Sequence, residues 1–388
     1  MTDDELRKAL AKILTRFDAV NHSYIKKVAS QIQKIGKMSQ ATINMVTVMA
    51  EITSDVDEIT KELQVALNLT KSEVISIYNQ AMQDTFTDPR FTKAFRSGLV
   101  VPPIQRQRLV TYTRGVAAQT MMKLDNFSNT TAISAPYRDA VDMAVLAVSS
   151  GLTSYTAGTR DVIRQIGYNG MQVYYPSGYH RRLDTAVRQN IIDATKQISM
   201  HCAEEVGKAL KYNAVELSAH MNSAPDHEPV QGRVFLQSEF DRMQSGDSFM
   251  DIHGTQYSGF NRPIGEWNCR HFPRPFSTVY SKRLYSNETL KTWADKNNAG
   301  CDIDGKHKTI YEASQMMRKI ETETRRWKDT AVAAQAAGDD VLQRECQKHI
   351  NDLAAKYGQI AHLSGLTEHR NRMTVEGFKA VKLTDKTP

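Results

Sequence analysis

Val215-Glu-Leu-Ser-Ala-His220, the run Met221 to Gly232, and Gly265-Glu-Trp-Asn-Cys269-Arg-His271-Phe-Pro-Arg-Pro-Phe276 decide how this chain is read. The first reads as a short strand leading into a loop with Pro225, Asp226, His227 and Pro229. Gly232, Gly246, Gly254, Gly259 and Gly265 follow among polar and aromatic residues, a density that predicts tight turns around a few short strands. On both sides of this stretch the apolar residues return to a helical period. The chain is therefore expected to be α+β and predominantly helical, with a small loop-rich α/β core around residues 170–280 and helical regions at either end.

Just upstream, Met171-Gln-Val-Tyr-Tyr175 alternates between Gly170 and Pro176 and predicts a strand. Helix resumes at Leu183 and runs through Val187, Ile191 and Ile198. Residues 104–167 carry helical stripes, with Val141, Val145 and Val148 before Gly151, and Val162, Ile163 and Ile166 before Gly167. In the first hundred residues, Thr2-x-x-Glu5 and Thr70-x-x-Glu73 have the form of capping boxes. Stripes at Leu6 to Phe17, Ile25 to Ile35 and Ile43 to Ile52 read as separate amphipathic helices. Pro102-Pro103 predicts a boundary. The last third is helical in pattern through Met316, Ile320, Leu342, Ile350 and Tyr357. Four regions are expected on this basis: 1–101, 104–210, 211–306 and 307–388.

The composition is that of an ordinary globular protein, with 40% hydrophobic and 24% charged residues among 388. Lys plus Arg exceeds Asp plus Glu by 50 to 43, a mild excess that permits contact with a polyanion without requiring it. Four scattered cysteines with no CxxC pair argue against a disulfide scaffold and for a reducing compartment. No secretory h-region and no membrane-spanning apolar run is read, so a soluble intracellular protein is expected. GxxxxGK[ST], GxGxxG, GxSxG and HExxH are all missing, which leaves nucleotide hydrolysis and the familiar hydrolase designs without their elements.

Two clusters remain as candidate sites. His220, His227, Cys269 and His271 offer imidazole and thiolate donors of the kind zinc selects, although H-x6-H with C-x-H is not a standard finger spacing. Three readings stay open for them: a polar network that satisfies loop backbone, a structural zinc, or a catalytic metal with Asp226 or Glu228 as base. Arg181, Arg182 and Arg188, and further on Arg325 and Arg326, could grip phosphate or a partner's carboxylates, or simply be solvated. Charges interleave between Lys319 and Lys328 as on an exposed helix, with Glu321 and Arg325 four apart.

The same residues resemble the phage minor capsid protein 2 family, related to head morphogenesis proteins of the Mu F type. Val215-Glu-Leu-Ser-Ala-His220 is similar to that family's V-E-x-S-x-H segment, and Pro225-Asp-His227 with Gln231-Gly232 to its Pro-x-His-x-x-x-Q-G run. Where the family usually has Arg before that Pro, this chain has Ala224. Asn268-Cys-Arg-His271 with Pro275-Phe276 matches an N-C-R-H motif. Val173-Tyr-Tyr-Pro-Ser-Gly178 and Leu183-Asp-Thr-Ala-Val-Arg188 resemble Y-x-S-G and L-D-x-x-V-R stretches, and Gln315 with Arg318, Glu321 and Arg325-Arg326 a downstream helix. The resemblance spans about residues 140–378. It implies a structural component of a tailed-phage head, at the portal vertex or in the capsid interior. The partners implied are the portal protein, the major capsid protein and, non-specifically, genomic DNA. No membrane and no enzymatic activity is implied. The rival expectation is a zinc-dependent enzyme or toxin domain carried by the particle.

Overall fold

A computed structural model describes residues 3–37, 45–150, 155–260, 262–265, 269 and 271–383. The helices are α1 (Asp3–Gly36), α2 (Met45–Phe86), α3 (Thr92–Arg96), α4 (Pro103–Thr130), α5 (Ser134–Ser150), α6 (Tyr155–Asn169), α7 (Leu183–Ala209), α8 (Gln237–Gln244), α9 (Asn287–Ala299), α10 (Ile310–Ala336) and α11 (Asp340–Ser364). The strands are short: β1 (Thr131–Ala132), β2 (Gln172–Tyr174), β3 (His180–Arg182), β4 (Ala214–Leu217), β5 (Val234–Leu236), β6 (Phe249–Met250), β7 (Gln256–Tyr257), β8 (Pro273–Phe276), β9 (Cys301–Ile303) and β10 (Lys306–Lys308). The protein is a predominantly helical α+β chain, as its periodicity predicts.

Two compact units emerge, each gathered from three separate stretches of chain rather than one consecutive run. One comprises residues 1–6, 74–121 and 190–314; the other 7–73, 122–189 and 315–388. Pro102-Pro103 lies inside a single stretch, where Pro103 opens α4. Its fixed φ and missing N–H suit the first turn, whose N–H groups have no helical partner anyway.

The first unit holds the mixed core. β4 is central in an antiparallel sheet of order β5-β4-β8, with Val215 opposite Phe235 and Pro275. β8 carries Pro273 and Pro275, which cannot donate a ladder bond, so the outer edge of this sheet is a poor template for another strand. Val215, Leu217, Val230, Phe235, Phe240, Met243, Phe249, Tyr257, Phe260, Ile264 and Cys269 form one buried cluster. Phe235 meets Phe249 and Tyr257 edge to face. The glycines act here as expected: a Cβ on Gly259 would stand 1.9 Å from the carbonyl carbon of Gly246, so the two loops touch backbone to backbone.

The second unit is mostly helical and departs from expectation in two places. The stripes at Leu6 to Phe17 and Ile25 to Ile35 belong to one helix of 34 residues, α1. Asn21 and His22, between the two stripes, are drawn into tertiary bonds. Asn21 Oδ1 accepts the Met171 N–H at 2.8 Å, and His22 Nε2 lies 2.9 Å from Asp329. Likewise no helix starts at Thr70, because α2 runs through it for 42 residues. The Thr70 hydroxyl donates back to the Ala66 carbonyl at 2.8 Å, and Glu73 is taken by Arg16 in two hydrogen bonds. Ser or Thr in a helix interior commonly back-bonds in this way, and the capping-box pattern cannot tell that state from a true helix start. Thr2 and Ile43 lie outside the described residues. The strand expected at 171–175 forms as β2, pairing with β1 and β3. No helix among the described residues is long and apolar enough to cross a membrane.

Candidate metal centre

β4 ends at Leu217, and its continuation pins the second histidine segment. Ser218 N donates to the Phe272 carbonyl at 2.9 Å, and Phe272 N donates to Ser218 Oγ at 2.8 Å. Glu216, buried in the strand, accepts the Leu284 N–H at 2.7 Å and so anchors the chain after β8. Burial pushes its carboxyl above the usual range, against the pull of that N–H and of nearby Arg274 and Arg283. Two irregular segments, 218–233 and the described residues of 258–272, are thereby held face to face.

Between them lie His227, Cys269 and His271, all buried, with donor atoms within 4.8 Å of one another. Cys269 Sγ is 3.4 Å from His227 Nδ1 and 3.6 Å from His271 Nδ1. The remote ring nitrogens are engaged elsewhere. His227 Nε2 donates to the Arg262 carbonyl at 2.7 Å, a partner that only accepts, so in the neutral ring Nδ1 carries the lone pair and only the protonated ring donates to the sulfur. His271 Nε2 lies 3.3 Å from both Gln231 Oε1 and Ser223 Oγ. Gln231 Oε1 also accepts the His220 N–H at 3.0 Å, which identifies it as the amide oxygen and makes His271 Nε2 the donor.

Burial alone would raise the Cys269 thiol. Hydrogen bonds from His227 and from the backbone at Gly265 and His271 outweigh it and hold the thiol below its ordinary range. Burial would lower His227, yet Cys269, the Arg262 carbonyl and Asp226 together raise it. The arrangement favours a thiolate facing imidazole nitrogens. Cys269 is 2% exposed and His227 fully buried, so the three donors face one another inside the protein.

The structure brings together three of the four residues grouped from sequence. His220 instead stacks on His271, with ring centroids 4.5 Å apart and planes 20° from parallel. Asp226 faces outward and pairs with Arg262 at 3.0 Å, while Glu228 accepts from Asn297 at 2.9 Å. Asn268 and Arg270 lie outside the described residues.

The arginine candidates lie in the other unit and differ among themselves. Arg182, at the end of β3, reaches Asp329 at 2.6 Å and Asp184 at 3.3 Å. Arg325 approaches Asp184 at 3.7 Å, so the L-D-x-x-V-R stretch and the downstream helix motif meet in one ion network. Asp184 is depressed below the usual carboxylate range: its burial works the other way, but Arg182 and Arg325 prevail. Arg181 lies over the Tyr179 ring at 5.4 Å, and Arg326 over Tyr168 at 5.0 Å. Arg188 is exposed on α7.

A second basic feature carries no motif and is visible only as charge. From Pro89 to Met121 there is no Asp or Glu, whereas Arg90, Lys93, Arg96, Arg106, Arg108 and Arg114 fall there. Arg90 is taken by Asp88, but Lys93, Arg96, Arg106, Arg108 and Arg114 are exposed on α3 and α4. Charge summed segment by segment reveals this stretch where adjacent arginines do not mark it.

No match to a curated protein or to a solved structure was found. The family comparison is different: the profile of Phage minor capsid protein 2 matches residues 1–361. With the match spanning nearly the whole chain, and His227, Cys269 and His271 of its motifs meeting in one buried centre, the protein belongs to the phage minor capsid protein 2 family.

Proposed function

We propose that this chain is a non-enzymatic structural component of a tailed-phage head, located in the virion at the portal vertex or in the capsid interior. The observation that carries this reading is the family match over residues 1–361. The burial of the His227, Cys269 and His271 centre is consistent with it, since a catalytic metal needs an open position that substrate can reach. The partners are the portal protein and the major capsid protein, with the genome as a further, sequence-independent contact.

For the DNA contact, the acid-free stretch from Pro89 to Met121 offers exposed cations spaced along α3 and α4. Arg182 is a poorer candidate, because a phosphate would have to displace two carboxylates already bonded to it. Cross-linking mass spectrometry on purified particles tests the placement. Links from this chain to the portal ring or to the inner face of the major capsid protein are expected. Links confined to tail proteins would contradict it.

A further inference from the structure

We propose that His227 Nδ1, His271 Nδ1 and Cys269 Sγ bind one zinc ion, and that this ion clamps the two irregular segments of the first unit together. The two sulfur–nitrogen distances are those of a coordination sphere. With Zn–S near 2.3 Å and Zn–N near 2.05 Å, a tetrahedral site places sulfur and nitrogen ligands about 3.5 Å apart. The structure has 3.4 Å and 3.6 Å. A single thiol proton can serve one of the two imidazole nitrogens, whereas a cation takes a lone pair from all three donors.

The surroundings fit as well. Metal-bound imidazoles characteristically donate their remote N–H to a carbonyl or amide oxygen, which fixes both tautomer and ring plane. His227 does so to Arg262 and His271 to Gln231. Two imidazoles with one thiolate is a borderline-soft donor set suited to zinc and unsuited to magnesium or calcium. Among the described residues no fourth His, Cys, Asp or Glu joins the three. A clamp would join distant parts of the chain: Cys269 and His227 are 42 positions apart, and the described residues of 258–272 lie in no helix or strand.

The test uses the purified full-length chain. Dialysed against micromolar zinc and then metal-free buffer, it is expected to retain one zinc per chain. Cobalt(II) substitution is expected to give a near-ultraviolet thiolate-to-cobalt charge-transfer band. Cys269→Ser removes that band, and Gln231→Ala weakens zinc binding about 10- to 100-fold in competition with a chromophoric chelator. His220→Ala leaves the stoichiometry unchanged. Zinc is also expected to protect Cys269 from iodoacetamide. A folded wild-type chain that retains no zinc and gives no cobalt band overturns the proposal, whatever the variants do. So does a charge-transfer band that survives in Cys269→Ser, or alkylation of Cys269 at one rate with and without zinc. Alkylation of Cys269 that stays rapid when zinc is added, in a chain that retains no metal, would replace the clamp with a thiolate–imidazolium pair.

Discussion

Arg182 Nη2 donates to Asp329 Oδ2 at 2.6 Å across 147 positions of sequence, and only 3% of the Asp329 side chain is exposed. The other Asp329 oxygen lies 2.9 Å from His22 Nε2, so the pair joins α1, β3 and α10 of one unit. Breaking a buried pair on one side leaves the other charge uncompensated. Arg182→Leu is expected to cost about 3–5 kcal/mol in urea unfolding. A loss under about 1 kcal/mol would show the network to be incidental.

The same cluster makes stability depend on pH. Asp18 is pushed up to about 6, first by burial and then by the nearby charges of Asp184 and Asp329, against the opposing pull of Arg182 and His22. Its folded value is thus above its unfolded value of 3.8. The stability linked to its protonation is fully present below about pH 4 and is lost as pH rises through about 6. Asp18→Asn should therefore stabilise the protein at pH 8 by about 1–3 kcal/mol and have little effect near pH 4. Denaturation curves at the two pH values check this, and an equal effect at both would refute it.

Gly259 supplies a test of the loop core. An added Cβ would collide with the Gly246 backbone rather than with a yielding side chain. Gly259→Ala is expected to cost about 1–3 kcal/mol or more. Gly254→Ala, with open space around it, avoids the collision and carries only the strain of a positive φ. Thermal melts should rank Gly259→Ala as the worse of the two; the reverse order would mean the loops do not meet as described.

The basic stretch makes a prediction about DNA. Binding to short duplexes should be sequence-independent and fall steeply with salt as counterions are released. Replacing Arg106, Arg108 and Arg114 with Gln should flatten the log–log salt slope by about 0.9 for each phosphate that is no longer neutralised. Filter binding between low and moderate salt measures it. A slope unchanged by all three substitutions would remove α4 from the DNA interface.

The helical plan was legible because the stripes on α1, α2 and α10 repeat over many turns, and the glycine-dense stretch announced a loop core. Helix ends were harder. Thr70-x-x-Glu73 has the letters of a cap, yet its groups serve Ala66 and Arg16, partners that local sequence does not encode. His227, Cys269 and His271 were recognisable as donors from their chemistry. Their convergence, and the exclusion of His220 onto a stacking face, depend on Ser218 pinning Phe272 and on Gln231 bridging the two segments. Arg182 and Arg188 looked alike in sequence, and only burial beside Asp184 and Asp329 separates them.

A structural role in the phage head requires that the protein be part of the particle. Phage propagated with and without this gene, purified and compared by quantitative mass spectrometry, cryo-electron microscopy and plaque titre, decides it. The prediction is a fixed, low number of copies per wild-type head, and a loss of genome-filled infectious particles when the gene is removed. Complete, infectious, genome-filled heads containing none of the protein would contradict it.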